Sequence, residues 1–176
     1  MDRRKKSTRY LAASAMLCAL GVILLALGSL VQVLDISMAV IASLFVILAV
    51  IELGGKYPYL IYAVTALLAM LLVPYKSAPL YYLCFMGYYP IIKAKIEGKL
   101  TSRVLEWVIK LAVFCAALAV AVLVAVKVLA LFEIPPLYYA LLLLCIPVFV
   151  LYDIALTRLV SAYYAKWRHL FRFLHK

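Results

Sequence analysis

Long runs of apolar residues, separated by short polar breaks, follow one another along almost the whole chain. A helix needs roughly 20 mostly apolar residues to cross a hydrocarbon core of about 30 Å, because each residue adds about 1.5 Å. The predicted membrane-spanning helices cover residues 10–33, 36–53, 57–73, 80–92, 104–131 and 137–159. The fourth is short and lies between Pro79 and Pro90, so we expect a tilted, kinked or partly interfacial helix there.

Lys and Arg residues collect at alternate breaks, and this alternation orients the predicted helices. Basic residues precede the first span, separate the second from the third and the fourth from the fifth, and follow the sixth. The breaks in between hold only Lys76 and Lys127, together with the acids Asp35 and Glu133. The positive-inside rule then places both ends in the cytoplasm. The sequence therefore predicts an all-α polytopic integral membrane protein with six transmembrane helices.

The composition agrees with this class, with 70% apolar and 14% charged residues and a mean hydropathy of +1.15. A soluble all-helical protein with unusually apolar helices is the alternative, but nothing between the spans could form its polar exterior. The first apolar stretch is too long for a secretory signal peptide and continues into another, so we expect a permanent helix. We predict a single domain over residues 1–176, with a basic cytoplasmic leader (1–9) and a basic juxtamembrane tail (163–176).

The net charge of +11 lies mostly on one predicted membrane face. Anionic lipid of an inner leaflet attracts such a face by about 1 kcal/mol per basic residue. The tail interleaves Trp167, Phe171 and Phe173 with basic residues, as in a helix lying in the headgroup layer. An RNA-binding arm is the alternative for this tail, but we expect lipid and no nucleic acid. The short loops and strong charge bias suit a bacterial inner (plasma) membrane.

Motifs that would indicate an enzyme are missing from the sequence. The four cysteines fall one per span without CxxC spacing, and both histidines lie in the basic tail. There is no glycine-rich phosphate loop, GxSxG elbow or HExxH motif. We therefore expect no catalytic residues, no metal and no cofactor.

Charged residues within the spans are candidate functional groups, because burying them in lipid is costly. Three pairs of opposite charge have i,i+4 spacing at the predicted inner face, namely Glu52–Lys56, Lys93–Glu97 and Glu106–Lys110. The first pair forms only if its helix continues through two glycines. Asp153 follows a long apolar run, and Arg158 lies on a different face of its helix, so its partner must come from another helix. The sequence predicts an inner charge cluster of Glu52, Lys56, Lys93, Asp153 and Arg158. Structural pairing and coupling to a partner both remain open for it.

Polar and aromatic residues gather around the predicted outer turns. Tyrosines at this depth form an interfacial belt in many membrane proteins, or they line an outward-facing pocket for a small solute. Under the second interpretation the candidate substrate-binding residues are Gln32, Asp35, Lys76, Tyr81, Glu133 and Tyr138.

Small residues mark where helices can approach closely. Ala12, Ala15 and Ala19 lie on the first span and include a small-xxx-small motif. With its size, predicted topology and basic leader, the chain resembles the substrate-binding S component of energy-coupling factor (ECF) vitamin transporters. The resemblance implies that Ala12, Ala15 and Ala19 dock on a transmembrane coupling subunit that works with ATPases. It also implies a solute held near the outer face, but the first outer loop is shorter than the family pattern and no ligand-specific signature is present.

Two functions follow from these expectations. The first is a transport component that binds a small, vitamin-like solute and depends on an ATPase-bearing partner, because the chain has no nucleotide motif of its own. The second is a non-transporting membrane subunit or scaffold of a larger complex.

Overall fold

The computed structural model describes residues 2–100, 102–128 and 136–167. Within them the chain is helical, with no strand, so the predicted all-α class is confirmed for these residues. The helices are α1 (Asp2–Leu30), α2 (Asp35–Glu52), α3 (Tyr57–Leu72), α4 (Ser77–Tyr81), α5 (Tyr89–Lys99), α6 (Arg103–Val128) and α7 (Pro136–Ala162). A 3₁₀ turn (Gln32–Leu34) follows α1, and π-helical segments follow α4 (Tyr82–Met86) and α7 (Tyr163–Trp167).

Four stretches are long and apolar enough to cross a membrane, namely Ser7–Leu30, Asp35–Glu52, Arg103–Leu123 and Leu144–Ala165. Helix α3 is apolar but has 16 residues, which gives about 24 Å at about 1.5 Å per residue. These helices are compatible with a place in a membrane. The predicted count of six crossings and the cytoplasmic position of both ends stay predictions.

The chain forms two compact units, and each is described by itself. The first contains α1 to α5, and the second is Ser102–Trp167 with α6 and α7. The prediction of a single domain stays a prediction.

Local sequence signals explain where the helices of the first unit end. Gly54 and Gly55 have φ angles of 61° and 56°, a left-handed conformation that favours glycine, and α2 ends just before them. Val73 is extended, with ψ of 128°, because the following Pro74 disfavours a helical conformation at the preceding residue. At this position α3 ends, and α4 begins at Ser77.

The core of the first unit is built on small residues. Ala39, Ala42, Val46 and Ala49 form one buried face of α2, and α2 packs against α1, α3, α4 and α5. A Cβ placed on Gly28 of α1 would lie 2.7 Å from the Cβ of Met38. The backbone of α1 therefore lies directly against the Met38 side chain of α2 near the connection of the two helices.

The predicted fourth span is a broken helix, made of α4, a π-helical segment and α5. In the π segment the N–H of Gly87 donates to the carbonyl of Tyr82 at 2.8 Å, five residues back instead of four. The Tyr62 hydroxyl of α3 donates to the carbonyl of Leu83 at 2.9 Å, which an α-helix would have bonded to Gly87. Tyr82 is fully buried, so this tyrosine belongs to the core and not to an interfacial belt.

Candidate functional site

An open apolar groove of about 260 Å³ runs along the first unit between α1 and α3. Helix α1 lines it with Leu11, Ser14, Ala15, Cys18 and Ala19, and α3 lines it with Leu60, Val64 and Leu68. Ser14 and Cys18 are buried and Ala15 and Ala19 are exposed, so small residues form one side of the groove. The larger side chains of α3 form the other side.

The groove lies between two places where α1 and α3 touch. On one side the rings of Tyr10 and Tyr57 meet edge to face, with centroids 5.6 Å apart. On the other side a Cβ on Gly21 would lie 2.9 Å from Cγ2 of Thr65. Between these contacts the small residues of α1 leave the space unfilled, which creates the groove.

The two polar side chains that line the groove are satisfied within the protein. The Ser14 hydroxyl donates to the carbonyl of Tyr10 at 2.7 Å, and the Cys18 thiol donates to the carbonyl of Ile61 at 3.7 Å. The groove therefore offers apolar surface and close backbone access, which are the properties that helix packing in a membrane uses.

Two of the three predicted docking residues lie in this groove. Ala15 and Ala19 line it, while Ala12 is exposed on α1 outside the lining. Their docking role stays a prediction.

A second site lies within the second unit, where α6 and α7 share a buried ion pair. The ammonium of Lys110 lies 3.3 Å from Oδ2 of Asp153 and 2.5 Å from Oε1 of Glu106. Lys110 and Asp153 are only 1% and 2% exposed, so their charges interact in a low-dielectric environment. The Trp107 ring centroid lies 5.7 Å from the same ammonium, within the range of a cation–π contact.

One helical turn away, α6 and α7 make an aromatic contact. The rings of Phe114 and Phe149 stack with centroids 4.4 Å apart and an angle of 10°. Lys110 precedes Phe114 by four residues, and Asp153 follows Phe149 by four. The two contacts therefore form adjacent rungs of an antiparallel helix pair.

The sequence predicted that Asp153 would find its partner on another helix, and this is confirmed. The sequence alone pairs Lys110 only with Glu106, by their i,i+4 spacing, and does not identify it as the partner of Asp153. The positions of the two residues along their helices could have identified Lys110 as the partner. Lys110 lies seven residues after α6 begins at Arg103, and Asp153 lies nine residues before α7 ends at Ala162. At about 1.5 Å per residue these are roughly 10 and 14 Å.

The other members of the predicted charge cluster have various surroundings. In the first unit, buried Lys93 pairs with Glu97 at 2.8 Å, Glu52 is buried and Lys56 is exposed. The helix does not continue through Gly54 and Gly55, so the predicted i,i+4 pairing of Glu52 with Lys56 within one helix does not form. The side chain of Glu52 is not unpaired, however, since it interacts with another residue. Arg158 is exposed on α7. The five-residue cluster spans both units and stays a prediction.

Three of the six predicted solute-binding residues have described side chains. Asp35 is buried in the first turn of α2, and Tyr81 is exposed at the end of α4. The ammonium of Lys76 donates to the carbonyls of Met70 and Val73, both at 2.6 Å, and so caps the end of α3. Glu133 and the side chains of Gln32 and Tyr138 lie outside the described residues.

Among the described residues no three His, Cys, Asp or Glu side chains gather into a group that could hold a metal ion. The chain matches no protein-family model, no curated protein and no solved structure.

Proposed function

We propose that this chain is a multi-pass membrane subunit that docks on a partner protein through the groove between α1 and α3. The observation that carries the proposal is the groove itself, where the small side chains of Ala15 and Ala19 leave open apolar space between α1 and α3. A transmembrane helix of a partner can approach α1 closely there, because alanine side chains do not hold it away.

The assembly we propose first is a transporter in which this chain captures a small, vitamin-like solute and an ATPase-bearing partner supplies the energy. The resemblance to S components and the lack of a nucleotide motif support this proposal. In it, six helical segments cross a bacterial inner (plasma) membrane, with both ends in the cytoplasm, and the basic face binds anionic lipid. Asp35, Lys76 and Tyr81 would then lie toward the outer side.

A non-transporting scaffold is the second candidate, and the position of Lys76 favours it. The ammonium of Lys76 is held by the carbonyls of Met70 and Val73, where it neutralises the end of α3. A lysine used in this way has fewer donors left for a solute. Docking through the groove is common to both candidates.

Native mass spectrometry of the full chain, purified gently in detergent, tests the transport proposal. We expect a small molecule to remain bound to the wild-type protein and to be lost in the Tyr81→Ala variant. The matched control is Tyr59→Ala, since Tyr59 is exposed to a similar degree at the opposite end of the first unit. A wild-type protein that carries no small molecule, but holds a partner protein, would contradict solute capture and favour the scaffold.

A further inference from the structure

Asp35 is an anomaly in the first unit, because it is a carboxylate buried without a complete set of partners. It is 7% exposed, and its Oδ1 has no hydrogen-bond partner among the described residues. Burying an ionised carboxylate without a partner is unfavourable. Such a group in a folded protein therefore needs an explanation.

The side chain belongs to the buried face of α2. Asp35 has the same helical phase as Ala39, Ala42 and Val46, all of which are buried in the first unit. The charge is thus directed into the bundle and not toward its surroundings. The first turn of a helix favours an ionised carboxylate, because the backbone dipoles place positive charge there.

The end of α1 lies opposite Asp35. Helices α1 and α2 are antiparallel and touch at Gly28 and Met38, three residues beyond Asp35 along α2. The last residues of α1 therefore lie beside the first residues of α2. A helix ends with carbonyl groups outside its ladder and a partial negative charge, and α1 has no basic residue in its last turn.

The end of α1 also carries oxygen atoms. The N–H of Val31 donates to the carbonyls of Leu27 and Gly28, and the carbonyls of Ser29 and Leu30 follow these at the end of α1, where the helical ladder stops. The hydroxyl of fully buried Ser29 donates to the carbonyl of Ala26 at 2.9 Å, which leaves its oxygen lone pairs available. Lys76, the basic residue among the predicted solute-binding residues, already donates to two carbonyls at the end of α3.

We propose that Asp35 and the end of α1 form a binding site for a monovalent alkali cation. A hard cation prefers carboxylate, carbonyl and hydroxyl oxygens, and the ends of helices supply such ligands to Na⁺ in membrane proteins. A single carboxylate neutralises a single positive charge, which favours a monovalent ion in a low-dielectric environment. The site does not depend on the docking function proposed above.

Thermal unfolding of the full chain in detergent tests the site. Melting is compared in sodium, potassium and choline chloride at equal ionic strength, since choline is too large to enter. We expect Tm to rise by several degrees in sodium or potassium and to saturate with concentration, because a ligand that binds only the folded state stabilises it. The two alkali salts show which ion binds more tightly.

The Asp35→Asn variant should lose this dependence on alkali cations, and binding of radioactive sodium or potassium should fall to background. The control Glu97→Gln, a carboxylate at the other end of the first unit, should keep both. If Asp35→Asn does not fold, Asp35→Glu keeps the charge and should shift the concentration at half saturation. An equal Tm of the wild type in all three salts, or a Tm that responds to pH but not to the cation, would overturn the proposal.

Discussion

The first unit packs its helices through small residues, whereas the second unit joins α6 to α7 through long side chains. At Gly28 the backbone of α1 lies against the Met38 side chain of α2, and the buried face of α2 is rich in alanine. In the second unit, the ion pair of Lys110 and Asp153 and the stacked rings of Phe114 and Phe149 link the helices.

This difference matters in a membrane, where lipid tails are as apolar as the side chains and the hydrophobic effect does not drive helices together. Close packing of small residues gains many weak contacts and tolerates little added volume. A buried ion pair gains a strong interaction only while both partners are present, because each charge alone is costly. The two units should therefore respond to opposite kinds of substitution.

The largest expected effect is in the second unit. In Lys110→Met, Asp153 and Glu106 lose the cation between them, and we expect a loss of about 3–5 kcal/mol in the free energy of unfolding, the usual cost of leaving a buried charge without its partner. Unfolding in mixed detergent measures it. The double variant Lys110→Met with Asp153→Leu should recover most of the loss, since it removes both buried charges. A single variant as stable as the wild type would contradict the role of the pair.

In the first unit, we expect a smaller loss in the free energy of unfolding when one methyl group is added between α1 and α2. Gly28→Ala would place a Cβ 2.7 Å from the Cβ of Met38, so α1 and α2 must move apart at a cost of about 1–3 kcal/mol. Gly98→Ala in α5 is the matched control, since no atom lies within 4 Å of its added Cβ, and a helical alanine is favoured by up to about 1 kcal/mol. Equal changes in Tm for the two variants would argue against close packing of α1 on α2.

The sequence located helices well where residues that break them stand at the ends. The predicted span 57–73 and the helix Tyr57–Leu72 agree, because Pro74 ends the helix. The helix α1 instead begins at Asp2, well before the apolar stretch, since basic residues are also good helix formers. The π-helical segment could not be predicted, because it depends on Tyr62 from α3 bonding the carbonyl of Leu83.

The candidate sites were predicted unevenly for a similar reason. Ala15 and Ala19 share a face of one helix by their spacing alone, and the structure brings them into one groove. The contact of Lys110 with Asp153 joins residues 43 positions apart, and it depends on the register of α6 against α7. The capping role of Lys76 depends on where α3 ends and how the chain turns after it, which the pattern of apolar residues does not specify.

The groove between α1 and α3 is the centre of the proposed function, and filling it is the most direct test. Native mass spectrometry of the gently purified protein is compared for the wild type, the variant Ala15→Phe with Ala19→Phe, and the control Ala63→Phe, an exposed alanine of α3 outside the groove. We predict that the wild type and the control retain a partner protein and that the filled groove releases it. A partner that stays bound to the filled groove, or a wild-type chain that is always recovered alone, would contradict docking at this surface.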